Sequence, residues 1–298
     1  MSLLLGMILD AIFGEPKAVW DRVPHPAVVM GRAVAWCDER FNQGGARRLK
    51  GVGVMAALVL GAALLGWGLA WFGWIVEAVV VAVLLAQRSL VEHVRAVGDA
   101  LRMSLSEGRR AVARIVGRDV ASMDEAAVTR GAIESAAENF SDGVAAPVVW
   151  FLIAGLPGLL VYKITNTADS MIGYRTEKHE EFGWAAARFD DVLNVIPARF
   201  SAVVFLLLAR QLGAWRAVVA EARKHRSPNA GWPEAAMARG IGVALSGPRS
   251  YEGEMRDFPW VNGEGDRRPG PAEIDAACAV LWRAWAVLVV LALGVWIF

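Results

Sequence analysis

Two polar clusters flank an apolar run between Glu134 and Arg199. The first comprises Glu134, Glu138, Asn139, Ser141 and Asp142. The second comprises Lys163, Asn166, Thr167, Asp169 and Ser170, and is followed by Arg188, Asp190 and Asp191. No charged residue lies between Asp142 and Lys163, a length close to what a bilayer crossing needs. Carboxylates and amides beside membrane-depth sequence are costly unless they face protein, water or a ligand. That cost marks the two clusters as a candidate site.

The spacing suggests which chemistry. Glu134, Glu138 and Asp142 recur every four residues, so a helix lines them on one face. No basic residue follows any of them at i+4, and three carboxylates repel one another. A divalent cation or a ligand's amine would relieve the repulsion, and Mg²⁺ takes one or two carboxylates together with substrate phosphates. Lys163, Asn166, Ser170 and Gly173 fall at i, i+3, i+7 and i+10, a second helical face with Asp169 beside it. Lys163 suits phosphate as a point charge. Asp190 and Asp191 point about 100° apart on a helix, so one of them is expected to face the site. The set suits Mg²⁺-assisted handling of a phosphorylated substrate. His25 stands between Pro24 and Pro26, which hold it extended. It reads either as a loop histidine or as a ligand contact beside Asp10 and Glu15.

The elements that position these residues are membrane helices. The chain is 56% hydrophobic with 20% charged residues, 13 Trp and 3 Tyr. It is too apolar for an ordinary soluble domain and too charged for a bare bundle. The expectation is an all-α integral membrane protein of roughly four to six membrane segments, at least one broken or re-entrant, forming one membrane-embedded catalytic domain. The net charge of +1 gives no sign of nucleic acid as a partner. Arg47, Arg48 and Lys50 precede a charge-free stretch from Gly51 to Val76, with Trp67, Trp71 and Trp74 at its far end. This is a basic cytoplasmic flank and an interfacial aromatic belt. A returning span is expected near Ile75 to Ala86. Pro147, Gly155, Pro157 and Gly158 interrupt residues 144–162, which predicts the broken segment.

Two segments outside the membrane are expected. Residues 88–143 read as helical, with Leu90, Val94, Val97 and Leu101 at helical spacing and Ser122 as an N-cap ahead of Glu125. Residues 216–272 are dense in proline and glycine and read as structured loop. Tyr251, Trp260, Arg267 and Arg268 there could line a large flat ligand or simply fold a surface loop. Cys37 and Cys278 read as small buried side chains. The opening MSLLLGMILDAIFG lacks a basic n-region and a small-x-small cleavage site, so no signal peptide is expected.

Familiar enzyme motifs do not settle the activity. Asp142-Gly143 lacks the arginine of a CDP-alcohol phosphotransferase signature. Asn166-x-x-Asp169 and Asp190-Asp191-x-x-Asn194 approach but do not match those of a membrane prenyltransferase. A longer set of motifs carries a resemblance. D-x-x-x-G-E-P…H-P (Asp10 to Pro26), E-S-x-A-E-N-x-x-D-G (Glu134 to Gly143), Y-K-x-x-N-T-x-D-S-M-x-G-Y (Tyr162 to Tyr174), F-G-W-A-A-A-R-x-D-D (Phe182 to Asp191), N-x-I-P-A-R (Asn194 to Arg199) and S-P-N-A-G-W-P-E-A-A-M-A (Ser227 to Ala238) run in order along nearly the whole chain. Together they resemble the adenosylcobinamide-phosphate synthase family of cobalamin biosynthesis. His179-Glu180-Glu181 departs from that pattern, which leads one to expect a tyrosine near the start of the triplet.

The resemblance implies an enzyme, a multi-pass ligase of the bacterial inner membrane with its active site on the cytoplasmic face. It would form an amide between the propionate carboxylate of adenosylcobyric acid and (R)-1-amino-2-propanol or its O-phosphate, using ATP. Its partners would be the corrinoid and the amino alcohol, membrane lipid, and other late cobalamin-pathway membrane enzymes. Chemistry and position then suggest roles. Glu134, Glu138 and Asp142 would hold Mg²⁺–ATP, while Lys163 and Arg188 would neutralise phosphate oxygens. Asp169 or Asp190 would orient or deprotonate the amine. Asn139 and Asn166 would hold the carboxylate or the amino alcohol, with Ser170 and Arg199 among the binding residues. His25 and the loop at 247–268 would contact the corrin. A UbiA-like Mg²⁺-dependent prenyltransferase and a corrinoid transporter are the alternatives. ATP dependence separates the first, and polar residues in mid-span would be needed for the second.

Overall fold

The computed structural model describes residues 1–117, 119–251 and 254–297. Its helices, in chain order, are α1 (Ser2–Phe13), α2 (Lys17–Trp20), α3 (Pro26–Phe41), α4 (Arg47–Ala70), α5 (Trp74–Leu84), α6 (Gln87–Met103), α7 (Leu105–Val112) and α8 (Glu125–Phe140). After a π-helical turn at Ser141–Ala145 come α9 (Ala146–Ile172), α10 (Trp184–Leu193), α11 (Val195–Leu208), α12 (Trp215–Ala222), α13 (Gly231–Ile241) and α14 (Pro271–Ile297). Four short strands, β1 (Leu245–Ser246), β2 (Arg249–Tyr251), β3 (Glu254–Arg256) and β4 (Trp260–Val261), pair as antiparallel β1–β4 and β2–β3. Arg47–Ala70, Trp74–Met103, Glu125–Ile172 and Pro271–Ile297 are each long and apolar enough to cross a membrane. The pair α10 and α11, bent by 42°, raises the number to five. The chain is therefore an all-α polytopic membrane protein, as its hydropathy predicts.

The chain forms two compact units. The first comprises residues 1–86, 146–195 and 291–298, the second residues 87–145 and 196–290. In the first unit, Val34, Val54, Met55, Ile164, Ala168, Ile172, Phe182 and Ala186 form a core that joins α3, α4, α9 and α10. Two glycines permit this packing. A Cβ on Gly51 would overlap the carbonyl of Phe182, and one on Gly183 would overlap the carbonyl of Ile172. The short apolar α1 does not cross alone; it packs on α5, with Gly6 against Val81. The expected break in residues 144–162 falls at Ala154 and Gly155, whose backbone leaves the helical region, Gly155 at φ 62°.

In the second unit, Leu90, Val94, Val97 and Leu101 are buried along α6, as their spacing predicts, and α6 packs on α7 and α8. Two expectations are corrected here. The N-cap of α8 is Asp124, not Ser122: its carboxylate accepts from Ala127 N at 2.7 Å, so the helix starts at the nearer acceptor. Residues 216–272 are not loop throughout: most of α12 and all of α13 lie among their loops and short strands. Pro233 lies in the first turn of α13, where a missing N–H costs no hydrogen bond.

Candidate functional site

In the first unit, a buried carboxylate anchors the second cluster. Asp190 on α10 accepts at Oδ1 from Asn166 Nδ2 on α9 (3.3 Å) and at Oδ2 from Asn194 Nδ2 (2.9 Å). The Tyr162 hydroxyl donates to Asn194 Oδ1 at 3.0 Å. Tyr162, Asn194 and Asp190 are all buried, with 0%, 1% and 9% exposure. An ionised carboxylate tolerates such burial only when its lone pairs are taken up. Here side-chain amides do that, so the charge is solvated by amides, and among the described residues no cation pairs with it. A carboxylate held this way can receive a cationic amine or its proton.

Asp191 has the opposite fate. It pairs with Arg188 at 3.1 Å, and the arginine side chain is 51% exposed. Of the adjacent aspartates only Asp190 is therefore buried in the network, and Arg188 is held by its own helix. Lys163 and Asp169 lie half-buried on α9. The Asp169 carboxylate folds against Gly173, where a Cβ would overlap it. The Ser170 hydroxyl donates to Asn166 O at 2.9 Å, and Thr167 likewise donates to Lys163 O, so these hydroxyls serve their own helix.

His25 is structural in this unit. Its Nδ1 accepts from Ala27 N at 3.1 Å, capping α3, which leaves Nε2 to donate to Val83 O at 3.1 Å. Both ring nitrogens are engaged within the chain. His179, standing where the family pattern suggests tyrosine, lies 3.3 Å from Asp38 Oδ2. The same carboxylate accepts from Lys178 Nζ at 2.6 Å and, at Oδ1, from Asn42 Nδ2 at 2.8 Å. Burial alone would push the Asp38 carboxyl up; these hydrogen bonds outweigh it and hold the group below the usual carboxylate range.

The second unit carries the first cluster, and here the premise of unrelieved repulsion fails. Glu134 Oε1 accepts from Arg249 Nη2 at 2.9 Å and from Ser246 N at 2.7 Å. Both side chains are largely buried, at 14% and 8% exposure for Arg249 and Glu134. The missing basic partner comes from 115 residues further along the chain. Asn139 donates to the carbonyl and hydroxyl of Ser135, while Glu138 is exposed and Asp142 half-buried. Among the described residues, no group of three or more His, Cys, Asp or Glu is placed to hold a metal ion. Glu134, Glu138 and Asp142 therefore do not fit as a set of three magnesium ligands.

Arg199 too is engaged by the chain itself. It donates to Asn229 Oδ1 and to Pro228 O at 3.2 Å, and its guanidinium stacks 4.4 Å over Trp232. This fixes the Ser227–Pro233 segment. In the same segment His225 Nδ1 accepts from Ser227 N at 3.0 Å, and burial pushes its imidazole below the ordinary histidine range.

Sequence reasoning passed over Tyr162 and Asn194 as functional residues. Asn194 follows Asp190 by four, a spacing that could have been read as a side-chain pair. Arg249 left no local signal, because nothing in its neighbourhood points to α8.

The two units together define a class: an integral membrane protein whose polar side chains are held in place inside its helical packing. Comparison with known proteins narrows it. The family profile described as CobD/Cbib protein matches residues 3–281. The chain is 47% identical over 308 residues to "Cobalamin biosynthesis protein CobD" of Sinorhizobium fredii, covering 97% of this chain and 94% of that protein. It is 47% identical over 307 residues to the protein of the same name from Rhizobium meliloti, covering 97% and 94%. The Rhodobacter capsulatus protein of that name is 43% identical over 293 residues, covering 95% and 93%. No solved structure matches the chain. The chain belongs to the CobD/Cbib family.

Proposed function

We propose that this protein is an ATP-dependent amide synthase of cobalamin biosynthesis, joining the propionate carboxylate of adenosylcobyric acid to (R)-1-amino-2-propanol or its O-phosphate. The observation that carries this is the full-length relation to proteins named for cobalamin biosynthesis. A carboxylate does not condense with an amine unaided, because its oxygen is a poor leaving group. Transfer of the terminal phosphoryl group of ATP to the carboxylate gives an acyl phosphate and ADP. Attack of the neutral amine on the acyl carbon then forms the C–N bond, releases phosphate, and leaves one proton to be taken up.

Asp190 is the proposed acceptor of that proton. Asn166 and Asn194 hold both its oxygens, and Tyr162 fixes Asn194. A positioned base of this kind contributes roughly 10²–10⁴-fold to rate. Lys163 and Asp169, on the preceding helix, are assigned to an anionic oxygen and to the amine respectively. Glu134 is removed from the set, and no step is drawn through a metal. Magnesium is proposed solely as the nucleotide's counterion, with Glu138 and Asp142 as its candidate contacts. The basic flank Arg47, Arg48 and Lys50 supports a cytoplasmic orientation for the start of α4.

The test is purified full-length protein with adenosylcobyric acid, Mg–ATP and each amine, following the amide product together with ADP and phosphate. Amide formation matched by ADP release is expected. Amide without ATP, or prenyl transfer from a prenyl diphosphate, would refute the reading.

A further inference from the structure

The first unit carries a basic, aromatic corner that the proposed reaction does not use. It begins on α3, which is not among the helices apolar enough to cross a membrane. Val29, Arg32, Trp36 and Arg40 recur there at i, i+3, i+7 and i+11 and are all exposed, Trp36 at 60%. Val34, Cys37 and Asp38, on the opposite side, are buried. Phe41 meets Trp36 edge-on at 5.7 Å. Arginine sharing an exposed stripe with indole and valine suits a helix lying along a membrane surface. The apolar groups then reach the acyl chains while the cations stay at headgroup level.

The chain sets this stripe beside a bilayer crossing. Only Asn42 to Ala46 separate α3 from α4, which is long and apolar enough to span a membrane. The corner between them is fixed by the loop that follows α9. Asp38 accepts from Lys178, Asn42 donates to Lys178 O at 2.9 Å, and Arg47 donates to Glu177 O and to Glu181. In the first turn of α4, Leu49 is 73% exposed, with Arg48 and Lys50 on either side. Arg48 stacks 3.9 Å over the Trp184 ring. Stacking takes up the face of a guanidinium and leaves its N–H edge for oxyanions.

The corner carries a surplus of positive charge. Residues 32–50 and 174–184, all of them described, hold seven basic and five acidic side chains. Two of the acids are answered locally, Asp38 by Lys178 and Glu181 by Arg47. That leaves five cations against Glu39, Glu177 and Glu180. Among the described residues no carboxylate pairs with Arg32, Arg40 or Arg48.

We propose that this corner binds the headgroups of anionic phospholipids. Arg32, Arg40 and Arg48 meet the phosphate oxygens, while Trp36 and Leu49 rest among the acyl chains. Unpaired cations beside a crossing helix attract an acidic leaflet. The exposed indole and leucine favour an occupant with an apolar part, which a free phosphate ester lacks.

Native mass spectrometry of the full chain in a neutral detergent tests this, titrating phosphatidylglycerol and phosphatidylcholine with the same acyl chains. Tighter binding of phosphatidylglycerol is expected, with a preference that shrinks as salt is raised. One basic residue near an acidic surface contributes roughly fivefold, so Arg32→Gln/Arg40→Gln/Arg48→Gln should lower the preference by about tenfold or more. Arg32→Lys/Arg40→Lys/Arg48→Lys should retain most of it, which separates lost charge from lost fold, and both variants should keep the wild-type circular-dichroism spectrum. Equal binding of the two lipids by the wild type overturns the proposal. So does a preference indifferent to salt, or one that survives in the glutamine variant. Release of bound phosphatidylglycerol by an equal concentration of glycerol phosphate would show that phosphate alone is recognised, and would overturn it too. None of these outcomes depends on amide synthesis.

Discussion

Asp190 in the first unit and Glu134 in the second are both buried carboxylates drawn from the same motif-rich region, yet their surroundings differ in kind. Glu134 meets a guanidinium and a backbone N–H. Asp190 meets two side-chain amides, one of them held by a tyrosine hydroxyl. A guanidinium cancels the charge it contacts; amides solvate it and leave it in place. The comparison separates a carboxylate that fastens α8 to the β1–β2 region from one that can still accept a proton or an ammonium group.

The comparison can be broken most sharply at Asp190. Asp190→Asn keeps the shape but removes the charge, and is expected to lower the rate of amide formation by about 10²–10⁴-fold with little change in thermal midpoint. Activity near wild type would remove the distinction between the two acids. At Glu134 the reverse pattern is expected. Arg249→Ala leaves a buried carboxylate without its cation, which costs about 3–5 kcal/mol of stability. Denaturant midpoints should fall, while activity per folded molecule stays within a few-fold. A stable, inactive variant would restore Glu134 to the catalytic set.

Smaller effects sharpen the picture. Tyr162→Phe removes one hydrogen bond from Asn194, worth about 1 kcal/mol. It should slow turnover by roughly fivefold without altering substrate affinity, since 1.4 kcal/mol corresponds to a factor of about ten; an equal loss of stability and no change in rate would make Tyr162 purely structural. The pH dependence of stability should show two further differences. His225 is held below its ordinary value by burial, so the unfolded chain takes up a proton more readily. Its contribution is present above about pH 6.5 and is lost as the pH falls below that. Asp38 is likewise held below its ordinary value. Its contribution is present above about pH 3.9 and fades as the pH falls further. Thermal scans between pH 7.5 and 5 should show the first loss, and His225→Gln should flatten it.

Periodicity carried much of the fold. The charge-free stretch after Lys50 became α4, Leu90 to Leu101 became the buried face of α6, and Gly155 marked the break in α9, because each reflects a local preference of backbone or lipid. The dense prolines of residues 216–272 misled, since Pro233 sits in a first helical turn where proline is tolerated. The acidic face of α8 was legible as a face, but its partner was not.

The sequence by itself determined that the chain is a polytopic helical membrane protein of the CobD/Cbib family, because hydropathy and long motifs are written in consecutive residues. Only the tertiary structure decided which polar side chains are already committed. Glu134 meets Arg249 across 115 positions, Arg199 meets Asn229 across 30, and Asp190 meets Asn166 across 24. Such pairings depend on how helices pack in space, and no local spacing encodes them.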